Sequence, residues 1–223
     1  MKKTISVLIG LFIFSFSLGQ TLYFQSGLSI SKFQNNDGAM YLEDYTESLI
    51  GPSVLMGIEY LNKKHFHLSS NLGFIRKGGK GIFTWSGHSD PNLTNLNEKI
   101  TIDYVTINTA LELKHNITKK IIPFLSFGVR YDYLIDLSIN YDYLLVDEIN
   151  YFSYGIITGG GLKFNFKKLL LGIRCDYYLN FNGLSDYPVE HYGGDHKALS
   201  DKTFSLNVIL GYKPDKWNQP NKK

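Results

Sequence analysis

Tyr151-Phe152-Ser153-Tyr154-Gly155-Ile156-Ile157-Thr158-Gly159-Gly160-Gly161-Leu162-Lys163-Phe164-Asn165-Phe166 runs into Lys167-Lys168 and then into Leu169-Leu170-Leu171-Gly172-Ile173-Arg174-Cys175-Asp176-Tyr177-Tyr178-Leu179-Asn180-Phe181. Before the lysine pair, Phe152, Tyr154, Ile156, Leu162, Phe164 and Phe166 share one parity. Ser153, Gly155, Gly159, Gly161, Lys163 and Asn165 share the other. After it, Leu169, Leu171, Ile173, Cys175, Tyr177, Leu179 and Phe181 alternate with Gly172, Arg174, Asp176, Tyr178 and Asn180. Period-two alternation over this length predicts two strands joined by a tight turn, each with one greasy and one polar face. The apolar face is bulky and continuous, and the polar face mixes glycine with charge. That combination predicts lipid on one side and a narrow polar lumen on the other.

The same pattern extends in both directions and predicts eight strands. The others run over about Leu22 to Phe33, Leu49 to Leu61, Phe66 to Lys77, Thr101 to Lys114, Ile121 to Ile135 and Thr203 to Tyr212. Short turns at Asn62–His65, His115–Lys119 and Lys167–Lys168 alternate with four long polar connections, one of them Gly78 to Glu98. Long loops alternating with short turns imply an up-and-down antiparallel barrel with both termini on the short-turn side. The expected fold is therefore all-β: an eight-stranded antiparallel up-and-down transmembrane β-barrel with a polar, side-chain-filled lumen. Each segment meets the roughly 9–11 residues a tilted strand needs to cross the hydrocarbon layer. Closure removes the unpaired edge that lipid does not tolerate. Pro52 is awkward inside such a wall, because it cannot donate to the ladder.

Composition agrees. The 16 tyrosines and 15 phenylalanines supply interfacial girdles, and 21 glycines suit tight turns and a crowded interior. Lys2 and Lys3, the apolar run from Ile5 to Leu18, and small Ser17 and Gly19 read as a secretory signal covering 1–19. The barrel is then assigned to 20–213 and a polar tail to 214–223. Removing Lys2 and Lys3 takes the formal charge from +3 to +1, and no basic stripe with interleaved aromatics appears, so nucleic acid is not an expected partner. Cys175 is the only cysteine, so no intramolecular disulfide forms. It lies in an apolar row and behaves as a small hydrophobe.

Glu59, Glu112, Arg130, Asp132, Lys163, Arg174 and Asp176 all fall on inward parities. Eight strands leave a lumen just wide enough for side chains to fill it, and enclosed charges must pair. The expected arrangement is a salt-bridged plug, with Arg130 and Arg174 each meeting a carboxylate from a neighbouring strand; an ion path is the competing reading. Lys32 and Arg76 lie in lipid-facing rows at the outer strand ends, with Lys77 and Lys80 nearby, and read as contacts for lipopolysaccharide phosphates. Snorkelling is the competing explanation.

The remaining motifs read as structural. His191-Tyr192-Gly193-Gly194-Asp195-His196 offers metal ligands on a loose, glycine-containing loop, and is read as solvated. His67 faces the lumen and is expected to cluster with no other histidine. Gly78-Gly79-Lys80-Gly81 lacks the spacing of a phosphate loop. Asp136, Asp142, Asp147 and Glu148 make the third long loop acidic. No Gly-x-Ser-x-Gly or His-Glu-x-x-His occurs, and no nucleophile, base and orienting group share a patch. The expectations are thus no enzyme, no cofactor and no metal.

Several short stretches resemble the PorT-like outer membrane β-barrel domain family of Bacteroidota. They are Gly27-Leu28-Ser29-Ile30-Ser31, Phe74-Ile75-Arg76-Lys77-Gly78-Gly79, Ile102-Asp103-Tyr104-Val105-Thr106-Ile107, Gly159-Gly160-Gly161-Leu162 and Leu210-Gly211-Tyr212-Lys213. The resemblance implies an eight-stranded barrel in the outer membrane of a Gram-negative bacterium. Its expected role is that of a surface-exposed structural or binding protein among outer membrane lipids. The alternatives are an accessory subunit of a secretion or envelope machine with a periplasmic or surface protein partner, and a lipid-modifying enzyme.

Overall fold

A computed structural model of the chain describes residues 21–35, 47–83, 96–115, 117–118, 120–139, 150–183, 186–187 and 197–213. The signal segment at 1–19, the tail at 214–223 and the His191–His196 loop lie outside them. Nine strands form one sheet: β1 (Thr21–Asn35), β2 (Glu47–Tyr60), β3 (Phe66–Phe83), β4 (Leu96–Lys114), β5 (Ile121–Ile139), β6 (Phe152–Phe166), β7 (Leu169–Asn180), β8 (Asp186–Tyr187) and β9 (Lys197–Tyr212). Eight form the wall, each antiparallel to its neighbours. β9 returns to β1 with Leu22 opposite Tyr212 and Asn35 opposite Leu199, which closes the cylinder. The two-residue β8 pairs only with β9. The expected eight-stranded antiparallel barrel is the observed fold.

Facing follows the alternation. On β5, Leu125, Phe127, Val129, Tyr131 and Tyr133 are exposed, whereas Ser126, Arg130 and Asp132 are buried. The inversion is the physical point. The large apolar side chains lie on the outside, as they must when the surrounding solvent is hydrocarbon. Val208, 60 % exposed near the middle of β9, tests this directly. Val208→Arg should destabilise the barrel by about 2–4 kcal/mol and abolish the heat-modifiable gel mobility of the folded form. Unchanged mobility would mean that this face does not meet lipid.

Three features differ from the sequence reading. First, the wall is taller. β3 continues through Gly78 to Phe83 and β4 begins at Leu96, with Lys80 opposite Lys99, so both ends of the expected Gly78–Glu98 loop are ladder. Gly78 has φ 153°, and its backbone lies so close to the Ile100 carbonyl that a side chain would not fit. Glycine here marks a close approach rather than a loop. β9 likewise starts at Lys197, well before Thr203.

Second, Pro52 sits where the β2–β3 register slips between Ser48 and Ser53. The ladder is already interrupted at such a bulge, so the missing donor is tolerated. Third, the lumen is not uniformly polar. Tyr23, Phe124, Leu170 and Ile209 form one apolar cluster in its periplasmic half. Phe33, Ile75, Ile100, Ile102, Tyr104, Leu134, Ile157 and Tyr178 form another toward the outer end. Inward glycine makes room for the first: a Cβ on Gly57 would come within 2.5 Å of the Tyr23 ring.

Candidate functional site

Packed among the two apolar clusters lie two groups of buried charge. The lower draws on five strands. Lys163 on β6 places Nζ 2.7 Å from Glu59 Oε1 on β2 and 2.5 Å from Glu112 Oε2 on β4. His67 on β3 joins them, with Nε2 2.9 Å from Glu112 Oε2 and 3.3 Å from Lys163 Nζ. Arg174 on β7 donates from Nη1 to Glu112 Oε1 at 2.6 Å, from Nε to Asp176 Oδ2 at 2.6 Å and from Nη2 to Ser126 Oγ at 3.3 Å. Both cations also lie over the Phe124 ring, Lys163 at 4.4 Å and Arg174 at 5.8 Å from its centroid. Phe124 therefore offers both cations an aromatic face within the lumen.

The upper group is smaller. Lys77 Nζ lies 2.9 Å from Asp132 Oδ2 and 3.2 Å from Asp201 Oδ2. Arg130 Nη1 is 3.3 Å from Asp132 Oδ2, and Nη2 donates to Asn180 Oδ1. Asn180 and Thr203 both donate to Asp201. Tyr104 and Tyr178 of the outer apolar cluster receive Lys77 and Arg130 on their faces, at 4.9 and 4.6 Å. An amide chain from Gln25 through Asn71 to Asn108 crosses the lumen between the groups, with links of 3.1 and 2.7 Å.

All seven residues singled out for the lumen are thus buried and in contact with opposite charge. The expected partner strands are corrected. Arg174 and Arg130 meet Asp176 and Asp132 on their own strands, two residues on, where the pleat returns to the same face. Arg174 also crosses the lumen to Glu112, because eight strands bring opposite walls within reach of one side chain. His67 clusters with carboxylates and a lysine rather than with another histidine. Glu59, His67 and Glu112 present ligand atoms within 4.8 Å of one another, but the Lys163 ammonium already supplies their cation.

The outer-surface residues separate. Lys77 is fully buried, so its reading as a lipopolysaccharide contact is corrected: it is an internal counter-ion, on the inward parity of β3. Arg76 faces outward, yet its fork is bidentate on Asp103, at 2.6 and 2.7 Å. Lys32 and Lys80 are exposed. Beyond the last strand, Lys213 donates to Asn165. Partial burial holds its ammonium below the usual lysine range; Glu59 opposes that and Lys163 adds to it.

A family model for the outer membrane protein beta-barrel domain matches residues 20–186. The chain belongs to this family. The match ends within β8, and β9 completes the cylinder that it describes. No curated protein matches the chain. Among solved structures, the outer membrane protein OprG from Pseudomonas aeruginosa is 10 % identical with TM-score 0.54, covering 88 % of this chain and 97 % of its own. E. coli outer membrane protein W is 10 % identical, TM-score 0.46, over 89 % and 100 %. Neisserial surface protein A is 12 % identical, TM-score 0.46, over 86 % and 97 %. Family membership and the OprG-like fold place this outer membrane barrel in the outer membrane of a Gram-negative bacterium.

Lys77, Asp201 and His67 are the lumen residues the sequence reading did not assign to the charge network. The signal for His67 was present: it alternates in phase with Ser69 and Asn71. Asp201 was hidden because the strand was started two residues too late.

Proposed function

We propose that this outer membrane barrel is a non-conducting, non-enzymatic scaffold that displays its long connections at the cell surface, where they act as structural or binding elements. The observation that supports this most is the lumen itself. Its cations and carboxylates are spent on one another, and two apolar clusters pack among them. Neither an aqueous path nor a substrate pocket is compatible with charges buried to this degree. Within the family, we place the chain with the PorT-like barrels of Bacteroidota. The short stretches Phe74–Gly79 and Ile102–Ile107 are the sequence features that support that placement. Planar-bilayer recording on the refolded protein tests the reading. The expected result is no steady conductance at neutral pH; a stable open channel in the wild type would overturn it.

A further inference from the structure

The outer rim carries an unusual pairing. Lys32 on β1 stands directly opposite Lys202 on β9, and Lys80 on β3 directly opposite Lys99 on β4. All four side chains are exposed. Like charges at directly opposed positions of an antiparallel ladder destabilise it, and here that occurs twice along one arc. Between them β2 contributes an exposed anion, Glu47, opposite Lys80. Arg76, nearer the membrane, is already neutralised by Asp103.

The height of the arc is set by the residues beneath it. Ile30 pairs with Phe204 on one side and Ile50 on the other, and all three are exposed. Lys32 and Lys202 follow two residues later on the same face. Lys32 and Lys202 therefore stand just above the last apolar row, at the level of lipid headgroups, and Lys80 and Lys99 stand farther out, beyond the Arg76–Asp103 pair on the same ladder. The opposite side of the rim is different. Tyr133, Tyr151, Phe152, Tyr154 and Phe181 of the β5–β7 sector are exposed aromatics, stacked as Tyr133–Phe152 and Tyr154–Phe181, and Asp136 is the exposed charge near them. Lysines that only snorkelled to an interface would ring the barrel. Among the described residues these are confined to the arc from β9 through β1, β2 and β3 to β4.

We infer that this arc is a docking edge for the phosphate groups of lipopolysaccharide, with one anionic group bridging Lys32 and Lys202 and a second bridging Lys80 and Lys99. A phosphate between two ammonium groups turns their repulsion into charge-assisted hydrogen bonds. The inference rests on the scaffold reading, since it supplies the surface on which that scaffold sits. It also replaces Arg76 and Lys77 in the initial lipid-contact set with Lys99 and Lys202.

The test compares the wild type with Lys32→Gln/Lys80→Gln/Lys99→Gln/Lys202→Gln, both refolded in a neutral detergent. Thermal unfolding is followed during titration with purified lipopolysaccharide, with the same material dephosphorylated, and with inorganic phosphate. A saturable rise in Tm is expected for the wild type with intact lipopolysaccharide alone, and roughly tenfold weaker apparent binding for the variant. Without lipid, the variant should melt no lower than the wild type, because the like-charge pairs are gone. An equal response of the variant, or an equal response to the dephosphorylated lipid, would overturn the docking edge. A wild-type response to inorganic phosphate alone would overturn the lipid assignment. A channel-free barrel that ignores lipopolysaccharide would sink this inference while leaving the scaffold reading intact.

Discussion

Arg174→Met should be among the most damaging single substitutions in the barrel, at about 3–5 kcal/mol. The guanidinium is buried and touches Glu112, Asp176 and Ser126 at once. Methionine fills much of the volume but leaves two carboxylates facing each other in a site that water does not reach. Breaking a buried pair by removing one partner leaves an uncompensated charge, which is far worse than never having had the pair. Two controls isolate that cause. Asp176→Asn on top of Arg174→Met should recover part of the loss, because it removes one stranded charge. Ile173→Ala, one residue away on the exposed outer face, should cost much less, since its side chain meets lipid in the folded state. Urea unfolding in lipid vesicles measures all three. If Arg174→Met unfolds like the wild type, the lumen is hydrated and the plug has no energetic weight.

What could be read from the residues, and what could not, follows from how each property is encoded. Facing was legible because hydrocarbon enforces period two along every strand: Ile173, Cys175 and Tyr177 face out and Arg174, Asp176 and Tyr178 face in, as alternation required. Partners inside the lumen were not legible. Glu112 meets Arg174 from β7 and Lys163 from β6, and strand order alone does not say how far the tilt of the wall carries β4 toward them. The apolar parts of the lumen were present in the sequence as Ile75, Ile157 and Leu170 on inward parities. The rule that a membrane barrel is polar inside conceals them. Lys77 shows the same difficulty at one position. Its parity pointed inward, its glycine-rich neighbours pointed to a rim, and the taller wall decides in favour of parity. The lysine pairs of the rim became visible only with register, because Lys99 and Lys202 lie in stretches whose composition reads as loop.

Lys163→Ala should convert the lower charge group into a zinc site. The ammonium occupies the point where Glu59 Oε1, Glu112 Oε2 and His67 Nε2 converge, and these residues offer ligand atoms within 4.8 Å of one another. Without the lysine, Glu59, Glu112 and Asp176 face Arg174 alone, a formal charge of −2 with His67 neutral. A divalent ion restores neutrality, and two carboxylates with an imidazole suit zinc, leaving a fourth position for water. Removing the lysine stem opens the volume that ion and water need. Because Glu59, His67 and Glu112 are buried, zinc must be present while the barrel folds. Lys163→Ala refolded with zinc should then retain one metal per chain after desalting. At a free concentration near 100 times Kd, the bound ion should recover about 2.7 kcal/mol of stability relative to the zinc-free variant. Adding His67→Ala should abolish both effects. Equal zinc retention by the wild type would instead assign the metal to the His191–His196 loop, and failure of Lys163→Ala to hold zinc would show that the three ligands cannot close around an ion without their lysine.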